Sequence, residues 1–188
     1  MRSLVKTALI AALGLSAVGV MAGEISDTDI RASFARNEAT NTDAKAFQHI
    51  GVTYGSGKIT KSFIDATNAK NYANGEGSTA RQVIGRAENG GTMDNVKVYA
   101  TNAYNQALGK GSTAEQTIGS VSNGTMKDVN IYAYNASNKA TGEKSTAIQQ
   151  IGVVKNGTMK NVNIFAENAT NLASGKNSTA EQKIGVVH

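Results

Sequence analysis

The chain has 188 residues with 19 Lys and Arg against 14 Asp and Glu, a net charge of +5, two His, and no Cys, Pro or Trp. Disulfides and thiolate metal sites are excluded, and the excess of positive charge is too weak and too scattered to form a nucleic-acid surface. After Gly23 only two Leu remain, Leu108 and Leu172, beside 19 Asn, which excludes a helical globule with a Leu-rich core.

Residues 1–22 read as a secretory leader. Arg2 and Lys6 stand in and just after its start, an apolar run covers Ala8 to Val20, and Val20 and Ala22 occupy the minus-three and minus-one places before a cut at Gly23. The run is shorter than a spanning helix needs, and no other stretch reaches that length. The expected product is a secreted bacterial protein, extracellular or at the cell surface and not embedded in a membrane. Its 166 residues carry a net charge of +3, from 17 basic and 14 acidic groups. Leu, Ile, Val and Phe supply 29 of them, a fraction at which disorder competes with folding. Strong internal regularity argues for folding.

Residues 23–43 are expected to be an N-terminal arm or a degenerate cap, ahead of a repeat domain over 44–188. The repeat is plainest in the block Ser-Thr-Ala-x-Gln-x-Ile-Gly, at Ser78–Gly85, Ser112–Gly119, Ser145–Gly152 and Ser178–Gly185, with a worn copy at Ala44–Gly51. The Ile-Gly pairs therefore step by 34, 34, 33 and 33 residues. A second motif lies between them, as in Asn156-Gly-Thr-Met-Lys-Asn-Val-Asn-Ile-Phe-Ala-Glu-Asn-Ala-Thr-Asn-Leu-Ala-Ser-Gly175.

Within that motif Val96, Val98, Ala100 and Asn102 recur as Val129, Ile131, Ala133, Asn135 and as Val162, Ile164, Ala166, Asn168. Period two predicts strands with one buried face. The recurring set then shifts parity to Ala103, Asn105, Ala107 and Gly109, which predicts a corner. Clean alternation returns at Ser112, Ala114, Gln116 and Ile118. Asn-Gly pairs at 89, 123 and 156 and the glycines at 75, 109, 142 and 175 mark turns.

No such repeat can bury a core alone, so the expected fold is an all-β solenoid of about five rungs of 33–34 residues with cross-β-like stacking. The alternative is an antiparallel meander built on the Asn-Gly turns. In a solenoid, identical residues stack at strand spacing. Gln48, Gln82, Gln116, Gln149 and Gln182 then form an amide ladder, as do Asn68, Asn102, Asn135, Asn168 and Asn71, Asn105, Asn138, Asn171. Ile50, Ile84, Ile118, Ile151 and Ile184 form an apolar column. Unpaired buried amides would each cost about 1–3 kcal/mol, and ladders satisfy them.

Catalysis has little to use. His49 and His188 lack partners in the pattern, the Ser and Thr residues sit at repeat positions, and the carboxylates Glu76, Glu115, Asp128 and Glu167 do not recur in register as a calcium coil requires. We expect no enzyme, no metal and no cofactor. Asn-x-Ser/Thr triplets at Asn123, Asn135, Asn156, Asn168 and Asn177 read as inward columns and turns before they read as glycosylation sites. Tyr99, Tyr132 and Phe165 fall opposite the buried Val98, Ile131 and Ile164. They are either stacked aromatics steadying the rungs or a stripe for surface contact with another fibre, a saccharide or a cell. Thr79, Thr113, Thr146 and Thr179 form a second outward column.

Solenoids that stay monomeric carry polar terminal caps. The last block, Ile184-Gly-Val-Val-His188, and the worn motif over Ala35 to Asn41 look instead like complementary halves of one repeat. A leader followed by imperfect Asn-Ala-x-Asn-x-Ala-x-Gly and Ser-Thr-Ala-x-Gln-x-Ile-Gly repeats resembles the secreted functional amyloids of bacterial biofilms, of the Fap type and more distantly the curli type. The resemblance covers residues 44–188. It differs in a period longer than the curli repeat and in lacking the C-terminal Cys pair of the major Fap subunit. It implies a self-assembling extracellular fibre subunit supporting matrix and adhesion, with further copies of itself as partner and a nucleator and outer-membrane export machinery as accessories. The competing expectations are a monomeric β-solenoid adhesin, or a carbohydrate- or ice-binding module using the Thr and aromatic columns. An outer-membrane barrel is weaker still, because the aromatic girdles are missing.

Overall fold

A computed structural model describes residues 6–9, 18–40 and 43–188, with side chains from Gly23 onward. Much of the expected leader therefore lies outside the described residues; its remainder runs in β1 (Lys6–Leu9) and the start of β2 (Val18–Ser26). Among the described residues there are twenty strands and no helix.

The first rung is β3 (Thr28–Ser33), β4 (Arg36–Thr40) and the long β5 (Lys45–Thr60), and the second is β6 (Phe63–Thr67), β7 (Lys70–Asn74) and β8 (Thr79–Ala87). The third is β9 (Thr92–Asp94), β10 (Lys97–Thr101), β11 (Tyr104–Leu108) and β12 (Thr113–Ser122). The fourth is β13 (Thr125–Lys127), β14 (Asn130–Tyr134), β15 (Ser137–Thr141) and β16 (Thr146–Lys155). The fifth is β17 (Thr158–Lys160), β18 (Asn163–Glu167), β19 (Thr170–Ser174) and β20 (Thr179–Val187). Every described ladder is parallel, and those joining β3 to β20 rung to rung are in register one repeat apart, as in Gln82 beside Gln116, Val98 beside Ile131 and Asn105 beside Asn138.

The rungs stack into three sheets of six, five and nine strands, a β-solenoid of about five turns. A meander would give antiparallel neighbours. Instead each Asn-Gly turn, with Asn89, Asn123 and Asn156 at φ 54°, 54° and 51°, carries the chain around the rung without folding it back.

The corners explain the parity shifts. Ala133 points in, Asn135 takes a left-handed φ of 53°, and Ala136 and Asn138 point in again. Asn tolerates that backbone better than other side chains do. A second left-handed corner recurs at Asn95, Asp128 and Asn161. A third lies inside the nine-stranded sheet, at Gly51, Gly85, Gly119, Gly152 and Gly185, with φ between 61° and 66°. A Cβ on Gly51 would come within 2.7 Å of Ile64, so these glycines serve backbone conformation and close packing together.

Two cores run along the axis. The larger holds the Ile column with Ile30, Ile64, Val98, Ile131, Met93 and Met126, and the smaller is lined by alanines such as Ala80, Ala107, Ala114 and Ala140. The repeat also starts earlier than residue 44. Ile30 and Ala32 register on Ile64 and Ala66, and Asn37 and Ala39 on Asn71 and Ala73. Residues 28–40 thus form a rung, not an arm. Their outward side chains, including Arg31, Arg36 and Glu38, depart from the later copies and mask the register in the sequence.

Candidate assembly surface

Alternation along β8, β12 and β16 turns Gln82, Gln116 and Gln149 inward, where all three are fully buried. Gln82 Nε2 donates to Gln48 Oε1 at 2.7 Å, Gln116 to Gln82 at 2.8 Å, Gln149 to Gln116 at 2.7 Å and Gln182 to Gln149 at 2.5 Å. Each Nε2 also donates to the backbone carbonyl 13 residues earlier, from Ala35, Ala69, Ala103, Ala136 and Ala169, at 2.9 to 3.1 Å. That second bond fixes which way round the amide lies. From Gln82 onward every Gln therefore donates toward its N-terminal neighbour.

The Asn71 column runs the other way. Asn37 donates to Asn71 at 3.0 Å, then Asn71 to Asn105, Asn105 to Asn138 and Asn138 to Asn171, each at 2.8 Å. From Asn71 onward the Nδ2 groups are held by the carbonyls of Ala46, Ala80, Ala114 and Ala147 at 3.0 to 3.1 Å. The two buried ladders thus have opposite polarity along one axis.

The third expected column corrects the sequence reading. Asn68, Asn102, Asn135 and Asn168 do not point into the core but sit at the left-handed corner, half-buried or exposed. They still bond in series, Asn102 to Asn68 and Asn135 to Asn102 at 3.0 Å and Asn168 to Asn135 at 3.1 Å. For the triplets at Asn135 and Asn168 it is this ladder, not burial, that occupies the amide.

Ile50, Ile84, Ile118 and Ile151 are buried, and Ile184 on the last rung is 42% exposed. Tyr99, Tyr132 and Phe165 lie on the outer face of the six-stranded sheet. Tyr99 and Tyr132 are stacked, with centroids 4.5 Å apart and planes 15° apart, and Phe165 follows at 6.4 Å. Tyr99 and Tyr132 thus turn a face to each other, while Phe165, tilted by 44°, stays 54% exposed. Thr79, Thr113, Thr146 and Thr179 also point outward, in register.

His49 does find a partner, since Tyr54 OH lies 2.9 Å from its Nδ1. Burial, helped by Arg81, holds the imidazole below its usual pKa, and burial raises that of Tyr54. Beside them Arg86 and Glu88 pair at 3.0 Å. The cluster belongs to the first two rungs alone, and no hydroxyl or thiol nucleophile other than the Tyr54 phenol is hydrogen-bonded to His49 among the described residues. Nor do three His, Cys, Asp or Glu side chains gather there as a metal site would require. No described helix is long and apolar enough to cross a membrane.

The sequence reading used the Ile-Gly pairs as phase markers and missed the elbow they make. It also missed the Asn95, Asp128, Asn161 corner, where Asn161 donates to Asp128 at 2.9 Å. The signal was a polar residue two places after each Thr-Met.

The chain matches no family model, no curated protein and no solved structure.

The described fold leaves two rung edges. On one side β17, β18, β19 and β20 have strand neighbours on one flank alone. On the other, β4 and Lys45–His49 of β5 have no outer neighbour among the described residues, while β1 lies along β3 and β2 along Ile50–Thr60.

Proposed function

We propose that this chain is a secreted structural subunit whose biochemical act is self-assembly, extending its β-ladders into an extracellular fibre of the biofilm-matrix type. The supporting observation is that the Gln and Asn ladders run unbroken through every rung and that, among the described residues, each edge carries a ladder oxygen with no donor, Asn37 Oδ1 at the first rung and Gln182 Oε1 at the last. A buried amide in such a column is satisfied by another copy of itself, which makes the edge selective for its own sequence. Adhesion and matrix support follow from the resemblance to Fap-type and curli-type subunits, and a nucleator and export machinery belong to the same reading. The reading requires no catalytic group and no cofactor. A monomeric saccharide-binding module is less well supported, because Tyr99 and Tyr132 turn their faces to each other and not to a sugar ring.

The test is incubation of the purified protein, with and without residues 1–22, followed by electron microscopy and fibre diffraction. Unbranched, seedable fibres with a reflection near roughly 4.7 Å are expected. A Gln116→Lys, Gln149→Lys variant, with two charges inside the ladder, should assemble far more slowly. A monodisperse monomer persisting for days in both forms overturns the proposal.

A further inference from the structure

We infer that copies join head to tail only, with β3, β4 and the first half of β5 of one copy stacking on β18, β19 and β20 of the next, and that the two buried amide ladders set this polarity. The inference rests on the self-assembly reading and adds the register and direction of the junction.

Register comes first. Continuing each column by one more repeat places the first rung over the last, and the inward residues coincide. Ile30 falls on Ile164, Ala32 on Ala166, Asn37 on Asn171, Ala39 on Ala173, Ala46 on Ala180, Gln48 on Gln182 and Ile50 on Ile184. The junction would bury the half-exposed Ile184 as Ile118 and Ile151 are buried within the chain. Outside, Arg31 takes the place above Phe165. Within its own chain Arg31 already sits over an aromatic ring, Phe63, at 5.5 Å.

Direction follows from the ladders. At the first rung Gln48 Oε1 accepts from Gln82, and Gln48 Nε2 donates to Ala35 at 3.1 Å and more weakly to Lys70 at 3.4 Å. Gln82 and Gln116 make the same two carbonyl contacts and donate to the Gln of the preceding rung as well, so Gln48 lacks only that ladder acceptor among the described residues. At the last rung Gln182 Oε1 has no donor among the described residues. The Asn column is reversed: among the described residues Asn37 Oδ1 has no donor at the first rung. At the last, Asn171 Nδ2 keeps two carbonyl contacts, to Ala147 and Glu181, equivalent to those of Asn138, and lacks only the ladder acceptor that Asn138 finds in Asn171. Head to tail, Gln48 donates to Gln182 and Asn171 donates to Asn37. Head to head, the copies are related by a two-fold across the axis that can lay at most one column on its own copy. That column meets donor to donor or acceptor to acceptor, and the other inward columns lose their matching residues; tail to tail fails in the same way. Strand pairing alone does not forbid those contacts, since a strand edge accepts antiparallel as well as parallel neighbours. The lost column register does, because it leaves buried amides without a matching copy and unpaired groups are costly.

Residues 6–9 and 18–22 lie along β3 and β5, where the second copy would seat. The described core residues run from Ile25 onward, so removing residues 1–22 takes none of them away. The junction therefore forms faster once that segment is cut away.

The absence of cysteine makes a clean cross-linking test. Lys45 and Thr179 are exposed and share one outward column, through Lys45 beside Thr79, Thr113, Thr146 and Thr179 in turn. Stacked strands hold such positions at roughly 4.7–4.9 Å, within disulfide reach. Chains carrying Lys45→Cys and chains carrying Thr179→Cys are mixed, with and without residues 1–22, allowed to assemble under reducing conditions, then oxidised. Linked peptides are mapped by mass spectrometry. A Thr146→Cys, Thr179→Cys chain, whose two sites are adjacent in register, serves as the geometric control and should close within itself.

Disulfides joining a Lys45→Cys chain to a Thr179→Cys chain should outnumber like-to-like links by about tenfold, the ratio given by about 1.4 kcal/mol. Fibres in which the disulfides mainly join two Lys45→Cys chains or two Thr179→Cys chains, or fibres left unlinked while the control closes, overturn the junction and leave self-assembly standing. No fibre in either form removes the assembly reading and this inference with it.

Discussion

Replacing Gln116 with Leu keeps the side chain's bulk and removes its amide. In the middle of the ladder Gln116 accepts from Gln149 at 2.7 Å and donates to Gln82 at 2.8 Å and to Ala103 at 2.9 Å. The Ala103 carbonyl keeps its backbone bond from Ser137 at 2.9 Å, so it is not orphaned. Gln82 Oε1 and one N–H of Gln149 are, and both residues are fully buried. At about 1–3 kcal/mol for each buried group left unmade, the cost is about 2–6 kcal/mol, less what the added apolar surface returns. The same change at Gln182 frees Gln149 Oε1 and the Ala169 carbonyl at the solvent-facing last rung, where water can replace the lost bonds, and should cost about 1 kcal/mol. Denaturant unfolding of the monomeric protein followed by circular dichroism reads the difference. Equal losses at the two positions, or no loss at Gln116, would refute the view that the buried amides are held by their copies.

Gly119→Ala should destabilise by about 2–5 kcal/mol, since the residue has φ 61° and a Cβ would overlap Ile131 Cδ1. Gly55→Ala, at φ 67° with nothing within 4 Å, should cost about 1 kcal/mol, and thermal melts compare the two. Phe34 holds the Asn-column corner of the first rung at φ 58° and is 74% exposed. Phe34→Asn should raise stability by about 1 kcal/mol by relieving a backbone that a bulky residue resists and by extending the ladder from Asn68; a lower melting temperature would count against this. The His49 pKa is lowered on folding, mainly by burial, so the folded state favours the neutral ring. Stability from this group is intact above the unfolded value near 6.5 and is lost as pH falls below it toward the folded value. Melting temperatures at pH 7.5 and 5.5 should therefore differ more for the parent than for His49→Val, which places here the residue type of its in-register neighbour Val83.

Strand positions, inward faces and repeat period were legible because each is a local pattern copied several times. The Gln column could be read directly, since its neighbours alternate without interruption from Ser112 to Ile118. The Asn68 column could not. Counted by twos from Val129, Asn135 belongs to the buried face, but as an Asn it also tolerates a left-handed backbone, and the corner prevailed. The first rung was obscured for a different reason. Packing constrains inward positions, so Ile30, Ala32, Asn37 and Ala39 persist, while outward positions are free to become Asp29, Arg31 and Arg36. Ladder polarity was beyond the sequence, because it depends on which backbone carbonyl each amide meets.

The composition that first placed this chain near disorder fits the reading of a self-templating edge. Leu-rich cores satisfy themselves with any apolar neighbour, and an exposed edge of that kind would accept many partners. Here much of the buried surface is amide and alanine. An amide column releases its desolvation cost when the next rung presents the same amide at the same height and in the same sense. Each rung is thereby stabilised by its neighbours and little by itself, so the last rung, with Ile184, Leu172 and Phe165 half-exposed, is the least complete part of the fold. On the assembly proposal, the chemistry that completes it is carried by the first rung, with Ile30 and Asn37, of another copy of the same chain.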